Sequence, residues 1–130
     1  MHKKSARVIE TIEAPCPIGP YSQAILIEGT LYTSGQIAID PSTKELVLDT
    51  IYEETHQVMK NLQAVLKAAE MDFSHVVKTT IFLTDMALFA DVNTVYGTFF
   101  DEKSAPARET VAVKALPKNV NVEISMIALR

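Results

Sequence analysis

The sequence predicts an α+β domain in which two helices lie on one face of a six-stranded mixed sheet. Three observations carry that reading. The apolar positions between residues 50 and 69 recur every three to four residues, several short runs rich in β-branched and aromatic residues surround them, and no linker or repeat divides the chain. The predicted order is β-β-β-α-β-α-β-β. At 130 residues the chain forms a single domain, residues 1–130, with a core of its own.

Arg7 to Ile12 reads as a first strand, ended by Pro15-Cys16-Pro17-Ile18-Gly19-Pro20, where the prolines forbid further pairing. Ser22 to Glu28 and Leu31 to Gln36 form a hairpin around the turn dipeptide Gly29-Thr30. Thr50 to Ala69 is the clearest element, an amphipathic helix carrying Ile51, Val58, Met59, Leu62, Val65, Leu66 and Ala69 on its inner face. Val76 to Leu83 is a β-branched strand. Ala90 to Phe100 places Val92, Val95, Tyr96, Phe99 and Phe100 on a second helical stripe. Glu109 to Val113 and Val120 to Leu129 are the last two strands, separated by Leu116-Pro117-Lys118-Asn119. Glu70, just past the first helix, stands where a glycine commonly ends a helix, and its charge opposes the dipole there.

Composition narrows the function classes. Hydrophobic residues make up 48% of the chain and the net charge is −4, with basic residues scattered rather than clustered. Neither a disordered chain nor a nucleic-acid-binding surface is expected. The basic start from Met1 to Arg7 is followed only by Val8 and Ile9 before Glu10, too little for a signal peptide or a membrane span, so a cytoplasmic protein is expected. The single Cys16 permits no internal disulfide. His2, His56 and His75 have no ligand spacing, so no metal site is expected. No serine or cysteine stands beside a histidine in a nucleophile motif.

In the last strand, Val122, Ile124, Met126 and Ala128 form one apolar face, yet Ile127 and Leu129 add apolar groups to the other. The first hairpin, through Ala24, Ile25, Leu26 and Ile27, does the same. Two helices cannot cover both sides of such a sheet, which predicts a homo-oligomer.

Arg108 follows Pro106-Ala107 at a strand start, where backbone pairing fixes it for bidentate capture of a small carboxylate. Alternation puts Thr110 on the face of Arg108. Glu123 interrupts an apolar strand on one side only, between Asn121 and Ser125. A register pairing even with odd positions brings Glu123 to the Arg108 face, where it could hold a water. A cross-strand Arg-Glu ion pair at the sheet rim explains the same two residues.

Motifs spread along the chain add a further reading. Gly19-Pro20-Tyr21-Ser22-Gln23, Tyr32-Thr33-Ser34-Gly35-Gln36-Ile37, Val77-Lys78-Thr79-Thr80-Ile81-Phe82-Leu83, Pro106-Ala107-Arg108, Leu116-Pro117-Lys118 and Val122-Glu123-Ile124 together resemble the RidA/YjgF family from about Ile12 to Arg130. The resemblance implies a chorismate-mutase-like fold, a homotrimer, and sites in the clefts between subunits. It implies hydrolysis of reactive 2-imino or enamine acids, released by pyridoxal-phosphate enzymes, to 2-keto acids and ammonia. Within it, Arg108 grips the substrate carboxylate, Glu123 positions the attacking water, and Tyr21 approaches from the neighbouring subunit near the substrate nitrogen. Ser34 and Gly35 line the pocket, and Phe89 and Asn93 lie at the cleft wall. Each has a plainer alternative: Tyr21 as a plug at a subunit seam, Phe89 as core, Ser34 as a hydroxyl satisfying a strand-end carbonyl. A protonated imine is already electrophilic, so neither metal nor cofactor is implied.

The chain departs from the family pattern at three points, one of them Glu70 at the end of the first helix. Thr110 stands where many members carry a cysteine, which puts substrate preference in question rather than activity. Cys16 occupies a loop position usually held by a small residue, an incidental thiol or a redox-sensitive one at the cleft mouth. Two readings of function remain open, an imine deaminase and a non-catalytic trimer binding small carboxylates as a regulator or chaperone-like partner. A ribonuclease, an activity attached to some family members, finds no support in the acidic charge balance.

Overall fold

The computed structural model describes residues 6–130, so Met1 to Ser5, including His2, lie outside it. The strands are β1 (Arg7–Ile9), β2 (Ala24–Ile27), β3 (Thr30–Thr33), β4 (Val76–Leu83), β5 (Ala107–Ala112) and β6 (Val122–Leu129), and the helices are α1 (Ile51–Ala68) and α2 (Phe89–Gly97). They follow the predicted order. The six strands form one mixed sheet in the order β1-β2-β3-β6-β4-β5.

The last strand in sequence is thus an inner strand of the sheet. β6 runs antiparallel to both β3 and β4, so those two are parallel to each other and α1 must cross over β6 to join them. Crossing puts the inner stripe of α1 directly on β6. Val58, Met59, Leu62, Val65 and Leu66 are sealed from solvent against Val122, Ile124, Met126 and Ala128, with Leu31, Ile81 and Leu83 from the flanking strands. β4, α2 and β5 form a second, tighter βαβ unit, with β5 parallel to β4 at the sheet edge.

Local chemistry sets the ends of these elements. Thr50 caps α1, its side chain accepting from the Glu53 N–H at 3.1 Å, and Glu53 and Glu54 oppose the positive helix terminus. At the other end Glu70 takes a left-handed φ of 59°, the Glu70 N–H donates to the Lys67 carbonyl, and the Met71 N–H donates to Leu66. That is a Schellman closure with glutamate in the place glycine favours. Glu70→Gly is expected to raise stability by about 1 kcal/mol, read as a higher midpoint in chemical denaturation; an unchanged or lower midpoint would show that the left-handed backbone carries no cost.

Four sequence expectations are corrected. The β2–β3 turn centres on Glu28-Gly29 rather than Gly29-Thr30, because Ile27 pairs with Thr30 and both intervening residues have positive φ, 49° and 83°. β1 stops at Ile9 because the buried Gln23 side chain takes over the following loop: its Oε1 accepts from Thr11 N–H at 2.7 Å and its Nε2 faces the carbonyls of Thr11, Ala14 and Pro15. α2 ends at Gly97, so Phe99 and Phe100 leave the helical stripe and pack edge-on against Phe73 at 5.4 and 5.3 Å. Most consequentially, β5 and β6 are not partners, since β4 lies between them.

The helix-free face of the sheet keeps a broad apolar surface. Val8, Tyr32, Val111 and Leu129 are each 42% or more exposed, and register places the half-buried Ile25, Ile127 and Phe82 among them. No helix among the described residues is long and apolar enough to cross a membrane.

Candidate active site

Register decides where the predicted site residues point. Arg108 lies beside Thr79, Thr79 beside Met126, and Met126 faces the helices. Glu123 lies beside Phe82 and Phe82 beside Val111, on the open face. Every link pairs side chains on one face, so Arg108 and Glu123 lie on opposite faces of the same sheet. The expected even-with-odd register between their strands does not exist, because each pairs with β4 instead. The Arg108–Glu123 rim ion pair is absent for the same reason. The ion pair at this edge is Lys78 to Glu109, at 3.2 Å, with Thr80 donating to the same carboxylate; these contacts, Lys78 first, hold Glu109 below its usual range.

The predicted residues therefore fall into two groups. Tyr21, Ser34, Gly35 and Glu123 line one cavity of about 420 Å³, together with Cys16 and Lys118. Glu123 is brought there by the pairing of Ile124 with Gln36, which exchange N–H to O bonds of 2.8 and 3.1 Å and lay Ser34-Gly35 alongside β6. A Cβ on Gly35 would lie 2.8 Å from the Glu123 Cδ, so only glycine allows the carboxyl its place. Burial pushes the Glu123 carboxyl above its ordinary 4.5. Ser34 donates its hydroxyl to the Ser22 carbonyl at 2.5 Å, and its N–H bonds the Gln23 carbonyl, so it ties the hairpin ends that border the cavity. Tyr21 is 54% exposed, and its oxygen accepts the Ile18 N–H at 3.3 Å, leaving its own proton free to be donated.

The second group surrounds Arg108. Its Nη1 donates to Asn93 Oδ1 at 2.7 Å, and its Cζ sits 5.0 Å from the Tyr96 ring centre and 5.6 Å from that of Phe89. Phe89, Asn93 and Tyr96 occupy one stripe of α2, at spacings of four and three, turned toward β5. Tyr96 in turn donates its hydroxyl to Thr79 Oγ1 at 2.9 Å within the core, and burial raises its phenol pKa, offset in part by Thr79 and Arg108. Two paired strands thus support the cation and the ring beneath it, Arg108 from β5 and Thr79 beside it from β4. Among the described residues Arg108 has no carboxylate partner.

Thr110 shares the Arg108 face beside Ile81, but its Oγ1 is buried without a hydrogen-bond partner. Leaving that hydroxyl orphaned is unfavourable. Thr110→Val is expected to stabilise the fold by about 1 kcal/mol; a lower melting temperature in calorimetry would show that the hydroxyl has a partner after all.

Three contributors escaped the sequence reading. Tyr96 is buried on the core stripe as expected, and its spacing from Phe89 and Asn93 also places its ring under Arg108, a second role that the stripe alone does not show. Gln23 and Glu54 are buried polar residues whose partners lie far along the chain, at 12 and 67 positions' separation, and local pattern carries no trace of them.

Comparison with known proteins agrees with this architecture. The family described as endoribonuclease L-PSP matches residues 11–130. The mouse protein named 2-iminobutanoate/2-iminopropanoate deaminase is 49% identical over 124 residues, covering 95% of this chain and 91% of its own. The crystal structure of a Yersinia pestis protein of unknown function from the Rid family superposes with a TM-score of 0.93 at 50% identity, covering 96% of this chain and 99% of that one. The E. coli protein TdcF, solved with bound serine, gives 0.89 at 40% identity, covering 95% and 98%. With its fold, its motifs and nearly its whole length matched, the chain belongs to the RidA/YjgF family.

Proposed function

We propose that this protein hydrolyses reactive 2-imino and enamine acids to 2-keto acids and ammonia, in clefts between the subunits of a homotrimer, acting in the cytoplasm beside the pyridoxal-phosphate enzymes that release them. One observation carries the reading: an arginine without a carboxylate partner among the described residues is held between two aromatic rings on one sheet face, while a carboxyl of raised pKa lines a cavity on the other. Neither half suffices alone. A second subunit supplies the missing half, and the exposed apolar face of the sheet offers the surface for the contact. Arg108 of one subunit then meets Tyr21, Ser34, Gly35 and Glu123 of its neighbour.

The chemistry follows from these groups. Arg108 holds the substrate carboxylate with paired N–H donors. Tyr21 donates a hydrogen bond to the substrate nitrogen once water addition to C2 returns its lone pair. The ionised Glu123 orients a water and takes one of its protons as the oxygen bonds to C2 of the protonated imine, giving a carbinolamine; that proton passes to nitrogen, and as the C–N bond breaks Glu123 takes the remaining hydroxyl proton, so that ammonia leaves and the 2-keto acid forms. The names of the mouse deaminase and of the serine-bound TdcF support a ligand of amino-acid skeleton.

The test generates imines with an amino-acid oxidase and follows their decay by semicarbazone trapping. Purified protein is expected to accelerate the decay. Equal decay with wild type and Arg108→Ala across several amino acids would sink the enzyme and leave the carboxylate-binding regulator.

A further inference from the structure

Glu54 is a carboxyl group sealed from solvent in the first turn of α1, with no cation beside it among the described residues. Such burial is unfavourable unless hydrogen bonds replace the lost water. Three N–H donors do so: Oε2 accepts from the Asn121 backbone at 2.7 Å and from Val122 at 3.2 Å, and Oε1 accepts from Asn121 Nδ2 at 2.7 Å. All three belong to the two residues before Glu123. The Asn121 carbonyl is held in turn by the Thr84 N–H at 3.1 Å.

The placement of Glu123 thus has two anchors. On its C-terminal side Ile124 is bonded to Gln36, which brings Gly35 into contact with the carboxyl. On its N-terminal side Glu54 is, among the described residues, the one side chain bonding the backbone of both Asn121 and Val122. An apolar residue would fill the same core space but leave two strand-entry N–H groups unsatisfied.

We infer that Glu54 is a positioning residue, which locks the entry of β6 so that the Glu123 carboxyl stays packed against Gly35 and directed into the cavity. Its catalytic consequence rests on the proposed role of Glu123, but its structural consequence does not.

The experiment has two readouts. The Glu123 carboxyl is titrated by carbon NMR, its signal assigned through Glu123→Gln; Tyr21, Cys16 and Lys118 are the other titratable groups lining that cavity. In parallel, kcat and KM are measured for imine hydrolysis. Glu54→Leu is expected to bring the Glu123 titration down toward its ordinary value and to lower kcat about ten- to a hundredfold, with KM within about twofold because Arg108 is untouched. Asn121→Asp, which sets a second carboxylate against Glu54, should do the same, and Glu54→Gln in that background should restore both readouts by pairing amide with carboxylate. Should Glu54→Leu fail to fold, the Asn121→Asp pair decides. Wild-type titration and kcat in folded Asn121→Asp, or an activity loss that merely tracks melting temperature without rescue, overturns the role of Glu54. If wild-type protein hydrolyses no imine, the deaminase reading falls while the titration still tests the clamp.

Discussion

Arg108→Ala is expected to lower kcat/KM for imine hydrolysis by about two to three orders of magnitude, the loss of two charge-assisted hydrogen bonds worth roughly 1.5–3 kcal/mol each, set against partial compensation by water. The two rings make the effect specific. Phe89, Tyr96 and Asn93 hold a planar guanidinium, so Arg108→Lys should recover only part of the loss, because an ammonium neither stacks equally nor binds a carboxylate bidentately. Opposite-face placement adds a sharper result. Inactive Arg108→Ala and inactive Glu123→Gln subunits, unfolded together and reassembled in equal amounts, should regain about a quarter of wild-type activity, since one interface in four unites an intact Arg108 with an intact Glu123 in a closed ring. Residual activity no greater than that of the separate variants would place both groups in the same subunit's site and contradict the divided arrangement.

Glu123→Gln should leave keto-acid binding in place and lower kcat by about 10²- to 10⁴-fold, the range for removing a positioned general base. The pH dependence has a definite sign. Only the ionised carboxyl can take a proton from water, and burial raises its pKa above 4.5. Activity should therefore fall as pH drops through a midpoint above 4.5, and the residual activity of the glutamine variant should lack that limb. Stability runs the other way. A carboxyl with a raised folded-state pKa favours folding when protonated, below the unfolded value, and that contribution is lost as pH rises through the folded one. Glu123→Gln should thus be more stable than wild type at neutral pH, as expected for a group kept for chemistry rather than packing. Gly35→Ala tests the same placement through the backbone, since its methyl would meet Glu123 Cδ at 2.8 Å and displace the carboxyl; turnover equal to wild type in Glu123→Gln would remove Glu123 from the mechanism, and in Gly35→Ala would show that turnover does not depend on the packing against Gly35.

Much of this protein was legible in its residues. The inner stripe of α1 gave that helix nearly to the residue, because a long amphipathic segment has one stable burial solution. Alternation assigned Val122, Ile124, Met126 and Ala128 to the core and Glu123 to the other face, as the structure has it. Spacing also held Arg108 at a strand start. Boundaries failed where side chains reach across the chain, as with the Gln23 clasp that ends β1 and the Phe73 contacts that draw Phe99 and Phe100 off α2.

Periodicity and turn chemistry act between neighbours in the chain, and they set the elements, their order and the faces of each strand and helix. Long-range packing is what puts β4 between β5 and β6, turns Arg108 and Glu123 to opposite faces in consequence, and bonds Glu54 to the strand entry beside the second of them. Strand order and register arise from contacts dozens of residues apart, made by burying whole faces at once. No local pattern encodes them.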